Sequence, residues 1–178
     1  MIITRERQRS LDLSTLFSWF IIYSCIGWIY ETTYCFLTTG RIQNRGFLYG
    51  PLCPIYGLCI ILMVVLFSEK CKSVISLFIS SALVATVLEY VTSIWMDYVF
   101  GRRWWNYSKM RFNIDGRVCL EASIAFGLFG ILFVKLIHPA VVRYIESNFP
   151  DMLIRKINKS IILLLILDIL FSFQMSLL

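Results

Sequence analysis

Five stretches of this chain are apolar over about 19 residues or more, the length at which an α-helix crosses about 30 Å of hydrocarbon. They lie at about 15–38, 47–68, 73–100, 118–138 and 160–178. A water-soluble fold has no place to bury such surface, and a composition that is 58% hydrophobic and 16% charged lies outside the soluble range. The sequence therefore predicts an all-α polytopic membrane protein, with about five transmembrane helices in one bundle. Residues 1–178 are expected to form a single transmembrane domain, without an internal repeat, whose first partner is the lipid bilayer.

The net charge of +6 comes from 17 Lys and Arg against 11 Asp and Glu. These cations sit mostly between the apolar runs, which is a membrane-flanking pattern and not a nucleic-acid patch. Nucleic acid is thus no expected partner. The six cysteines make no CxxC pair. Most fall within apolar runs, where thiols act as small hydrophobes. The only histidine, His138, sits at a membrane boundary, so no histidine-based metal site is expected, and no cofactor. Arginines precede the first run as in a signal peptide, but that run is too long and has no small-residue cleavage site, so it is expected to stay as the first span. Residues 139–159 alternate apolar and polar positions and read as an interfacial amphipathic connector.

An odd number of spans puts the termini on opposite sides. One side carries Arg5, Arg7, Arg9, Lys70, Lys72, Lys135, Arg143, Arg155, Lys156 and Lys159; the other carries Arg41, Arg45, Arg102, Arg103, Lys109, Arg111 and Arg117. The larger first group predicts a cytoplasmic N-terminus.

Acids within spans are costly in lipid and mark a partner, a cavity or a task. Glu31, Glu89, Asp97 and Glu121 are such acids, and the helical rise puts them near or within the same half of the membrane. Thr86, Glu89, Ser93 and Asp97 share one face of the third span, and Ser24, Gly27, Glu31 and Thr38 share one of the first. Arg117 precedes Glu121 by four residues, a spacing at which guanidinium and carboxylate can pair on a helix. At the start of the second span, Gly50, Pro51 and Pro54 break the helical backbone, leaving about 55–68 as clean helix. Irregular backbone at that depth suits a cavity wall, and a Pro-capped helix start at the interface is the plainer alternative. A salt-bridge network that only fixes helix packing is likewise the plainer alternative to a solute site. Asp168, in the fifth span, stands apart from this zone and is expected to pair within the bundle or across a subunit interface.

The loop at 101–117 joins five cations to several aromatics, including Trp105 and Tyr107. It reads either as an interfacial anchor or as a lid over the polar zone. Asp115-Gly116 is a turn signal that delivers Arg117 to the mouth of the fourth span.

Several strings are similar to a known family: Tyr23-Ser24 with Gly27-Trp28 and Glu31; Arg45-Gly46-Phe47-Leu48-Tyr49-Gly50-Pro51; Pro54-Ile55-Tyr56-Gly57; Glu89-Tyr90; Trp105-Asn106-Tyr107-Ser108; and Phe112-Asn113-Ile114-Asp115-Gly116-Arg117 running on to Glu121. Over roughly residues 20–140 the chain resembles the bacterial family called putative ABC-transporter type IV, CmpB-like. Where that family usually has an acid after the tryptophan, this chain has Asn106. The resemblance implies a permease-type subunit in a bacterial cell (inner) membrane, moving a small polar or amphipathic solute. Glu31, Arg45, Glu89, Asp97, Trp105, Tyr107, Asn113, Arg117 and Glu121 are then its candidate solute contacts, with backbone at Gly50, Pro51 and Pro54. No GxxxxGK[ST] loop occurs. ATP hydrolysis would therefore come from a separate ATPase subunit, and a homo-oligomer is compatible with the reading. The alternative is an intramembrane enzyme acting on a lipid-linked or phosphate-bearing substrate, with a carboxylate as acid or base and arginines on anionic oxygens.

Overall fold

The structure, a computed structural model, describes residues 12–42, 46–71 and 73–177. It is all-α in character. Among the described residues, four helices are long and apolar enough to cross a membrane: α1 Leu13–Thr39, α3 Val74–Phe100, α4 Leu120–Asn148 and α5 Asp151–Leu177. Between the first two lies α2, Pro54–Phe67, apolar throughout but only 14 residues long. At about 1.5 Å per residue it covers roughly 21 Å, which is short of a span. The prolines and Gly50 account for this, as the sequence indicates. A single two-residue hairpin, β1 Asn113–Ile114 with β2 Val118–Cys119, interrupts the helical order just before α4.

The chain divides into two compact units, residues 12–61 with 145–177, and residues 62–144. In the first, α1 packs against α5 at one end through Asn158, which is 6% exposed and donates to the Ser14 carbonyl and hydroxyl at 2.8 and 2.9 Å. In the second, α3 and α4 pack closely through small residues: a Cβ on Gly127 would strike the Phe78 ring, and one on Gly130 would overlap Ser81. Such close approach is how helices gain contact when lipid removes the hydrophobic drive between them.

A Gly-x-x-Cys precedes both α2 and α4. Helices α1 and α3 are both 27 residues long, and both end at a glycine in the left-handed region, Gly40 and Gly101, each followed by arginine. Gly50 to Cys53 leads into α2, and Gly116 to Cys119 leads into α4.

The amphipathic helix expected within 139–159 is present as His138–Asn148, and only its extent differs. Helix α4 continues through a wide π turn, Phe133–Ile137, into a helical stretch His138–Asn148 that buries no residue. Pro139 has no N–H and its ring would press on the carbonyl four residues back, so a widened turn just before it lets the helix go on. The break comes instead at Phe149-Pro150, and residues 151–159 belong to α5.

Candidate functional site

Within residues 62–144, the polar face of α3 meets the segment 101–119 and the start of α4. The Thr86 hydroxyl pairs with Ser123 of α4 at 2.7 Å. Glu89, 6% exposed, accepts from the Tyr107 hydroxyl at 2.9 Å. Ser93 receives Arg117 through its carbonyl at 3.0 Å and its hydroxyl at 3.1 Å. Asp97 accepts from Arg117 at 2.6 Å and from Arg103 at 3.2 Å. All four positions of the predicted stripe are therefore used.

The loop reaches this face because its backbone folds tightly. Asp115 and Gly116 have φ of +53° and +65°, and the Arg117 N–H bonds the Ile114 carbonyl at 2.9 Å. Positive φ at both central positions is the two-residue hairpin turn that matches strand twist and favours Asp-Gly. Gly116 is also required sterically, since a Cβ there would crowd the Ser108 hydroxyl and Asn106 Oδ1. Asn113 accepts from Gly116 N–H at 2.9 Å and donates to the Met110 carbonyl at 2.7 Å, while Trp105 Nε1 donates to the Arg117 carbonyl at 2.9 Å. Asn106, at the position where the resemblance calls for an acid, accepts from the Ser108 N–H and hydroxyl at 2.9 and 2.6 Å. Here it shapes a turn.

Depth follows from helix arithmetic. Counting about 20 residues from Val74 spends about 30 Å and ends near Ser93. Asp97 and its arginines then fall at headgroup level, near the exposed Trp95 and Tyr98, while Glu89 lies about one turn inside the hydrocarbon. Tyr107 reaches the same level of α3 from the loop.

One sequence reading needs correction. Arg117 does not pair with Glu121: it lies in the turn before the helix, which starts only at Leu120, so the i, i+4 geometry never forms. Glu121 sits in the first turn of α4 as an exposed side chain. Arg45 falls outside the described residues, so its placement is not part of this geometry.

Within residues 12–61 and 145–177, Glu31 accepts from the Tyr56 hydroxyl at 2.5 Å, and α1 and α2 approach at Gly27, where a Cβ would overlap Tyr56. Thr38, from the same predicted stripe, is exposed and bonds the Tyr34 carbonyl of its own helix at 2.8 Å. The irregular segment before α2 is held from both sides. Cys53 N–H bonds the Ser24 carbonyl at 3.0 Å. Asp168 of α5 accepts from Tyr49 N–H at 3.1 Å and Gly50 N–H at 3.0 Å, with the Ser172 hydroxyl at 3.1 Å. Backbone groups that lack helical partners at membrane depth are thus satisfied by the protein. Asp168 pairs within this unit, one of the two partners foreseen. Gly50 has to be glycine because a Cβ would lie 2.8 Å from the Asp168 carboxylate. Pro51 is exposed, and Pro54 is the first residue of α2, where its missing N–H costs nothing.

Among the described residues, no group of three or more His, Cys, Asp or Glu side chains is placed to hold a metal ion. Residues 18–173 match the family described as Putative ABC-transporter type IV. No curated protein and no solved structure matches the chain.

Proposed function

We propose, for a chain that belongs to the family described as Putative ABC-transporter type IV, a membrane-embedded permease-type subunit that moves a small polar or amphipathic solute. Glu89 is the observation that carries this reading. A carboxylate about one turn inside the hydrocarbon is costly and marks a pathway more often than a packing device. Here one of its donors, the Tyr107 hydroxyl, comes from a loop. A loop can withdraw that hydroxyl and leave Glu89 to a solute donor, and Arg117 with Arg103 on Asp97 forms the latch that holds the loop down.

On the same reading, Trp105 and Asn113 keep the loop in shape, and Glu121, exposed at the start of α4, contacts the solute outside the latch. Glu31 with Tyr56 forms a second carboxylate–phenol pair, and Gly50, Pro51 and Pro54 supply non-helical backbone. Arg45 belongs to the proposal through the family motif alone. The subunit sits in a bacterial cell membrane with its N-terminus in the cytoplasm, and a separate ATPase supplies the energy.

Purification of the full chain from its own membranes in mild detergent tests this. Recovery of an ATPase subunit in near-stoichiometric amount is the expected result. Recovery of the chain without one, with turnover of a lipid-linked substrate by the isolated chain, would overturn the permease reading in favour of the intramembrane enzyme.

A further inference from the structure

The five cations of the 101–117 loop divide into two groups. Arg103 and Arg117 are committed to Asp97, and Arg102 lies over the Trp104 ring at 4.6 Å. Lys109 and Arg111 are exposed and form no ion pair among the described residues. The nearby acids are engaged elsewhere: Asp97 by the two arginines, and Asp115 by the Tyr90 hydroxyl at 2.8 Å.

Between and beside these cations stand apolar side chains turned outward. Met110 is 41%, Phe112 79% and Ile114 58% exposed. Phe112 is held that way at a φ of +51°, a region that bulky residues avoid at a cost. The strain is built in, because Asn113 bonds the Met110 carbonyl and Leu120 N–H bonds the Phe112 carbonyl at 3.3 Å. The tip is thus an edge with alternating cations and apolar groups, tied to the headgroup-level Arg103 through the Asp115 carbonyl at 2.9 Å.

We infer that this edge, residues 109–114, docks anionic phospholipid headgroups, with Lys109 and Arg111 on the phosphates and Met110, Phe112 and Ile114 among the upper acyl chains. The chemistry selects this partner. An acidic peptide or a free phosphate would satisfy the cations but leave the three apolar groups in water, whereas a lipid satisfies both. The inference does not depend on the permease reading, since it concerns the outer side of the loop.

The test uses the full chain in zwitterionic detergent micelles, titrated with phosphatidylglycerol and, separately, with phosphatidylcholine, with thermal unfolding as the readout. Wild type is expected to gain stability with phosphatidylglycerol selectively. Two cations at an anionic surface correspond to a change in apparent affinity on the order of 30-fold, so Lys109→Gln/Arg111→Gln should lose that much of the preference. Arg103→Gln should lower the starting melting temperature yet keep the preference. If the double variant does not fold, Arg111→Gln alone is read in the same titration, with a loss of about fivefold expected. An unchanged preference in the variants overturns the inference. So does inorganic phosphate reproducing the whole effect, or a wild type that does not distinguish the two lipids.

Discussion

Replacement of Asp168 by asparagine probes how the irregular segment before α2 is held. The carboxylate takes Tyr49 N–H and the Ser172 hydroxyl on one oxygen and Gly50 N–H on the other. An amide of the same shape must turn its NH2 toward one of these donors. One charge-assisted bond, about 1.5–3 kcal/mol, is lost: Gly50 N–H then lacks this acceptor, or Tyr49 N–H falls back on Ser172 Oγ at 3.2 Å. Neutralising the side chain also removes a desolvation cost, which offsets part of the loss. The net expectation is a destabilisation of about 2 kcal/mol. For a chain of this size that lowers the melting temperature by about 4–8 °C. Ser172→Ala removes its hydroxyl bond to the same carboxylate and a 3.2 Å acceptor for Tyr49 N–H, and should likewise cost about 1.5–3 kcal/mol. The assay is thermal unfolding in mild detergent, combined with alkylation of Cys53 in a variant lacking the other five cysteines. Cys53 is 7% exposed and its N–H is tied to Ser24, so loosening of the segment should raise its reactivity. An asparagine variant that melts within about 1 °C of wild type, with Cys53 equally slow to react, would refute the assignment of Asp168 as the anchor.

Other expectations concern packing, the latch and orientation. Gly27→Ala places a methyl against the Cβ and ring of Tyr56, atoms with little freedom to retreat, and should destabilise by about 1–3 kcal/mol in the same melting assay; an unchanged melting temperature would show that α1 and α2 are not in contact there. Arg117→Ala should free the loop, so that trypsin cuts after Lys109 and Arg111 at least tenfold faster in folded protein, and an unchanged cleavage rate would count against the latch. For orientation, cysteine reporters at Ser10 and Ser108 in a cysteine-free background should react from inside and outside respectively; labelling of Ser108→Cys only after permeabilisation would reverse the proposed topology.

What the sequence made legible follows from periodicity. The stripe Thr86, Glu89, Ser93 and Asp97 could be read because helical spacing fixes which residues share a face, and all four meet partners. Short α2 could be read because proline removes backbone donors. Partners across loops could not be read in this way. Helical spacing allows Arg117 to pair with Glu121, but the Asp115-Gly116 turn leaves Arg117 before the start of that helix. Tyr107 meets Glu89 only because the loop folds back onto α3, which the hairpin sets and no local pattern shows. Asp168 was visible as an acid in a span, but its acceptor role depends on backbone N–H groups more than a hundred positions away. The π turn was equally hidden, since Pro139 could end the helix or widen it.

The most direct test of the account is the effect of Glu89→Gln on ATP hydrolysis by the chain and its copurified ATPase, reconstituted together in nanodiscs. Glutamine keeps the size and still accepts from Tyr107, so assembly and melting temperature should stay close to wild type. If Glu89 faces the solute, hydrolysis that depends on transport should fall by at least tenfold. A variant that assembles normally and hydrolyses ATP at the wild-type rate would contradict the account, and would leave Glu89 and Tyr107 as a packing contact between α3 and its loop.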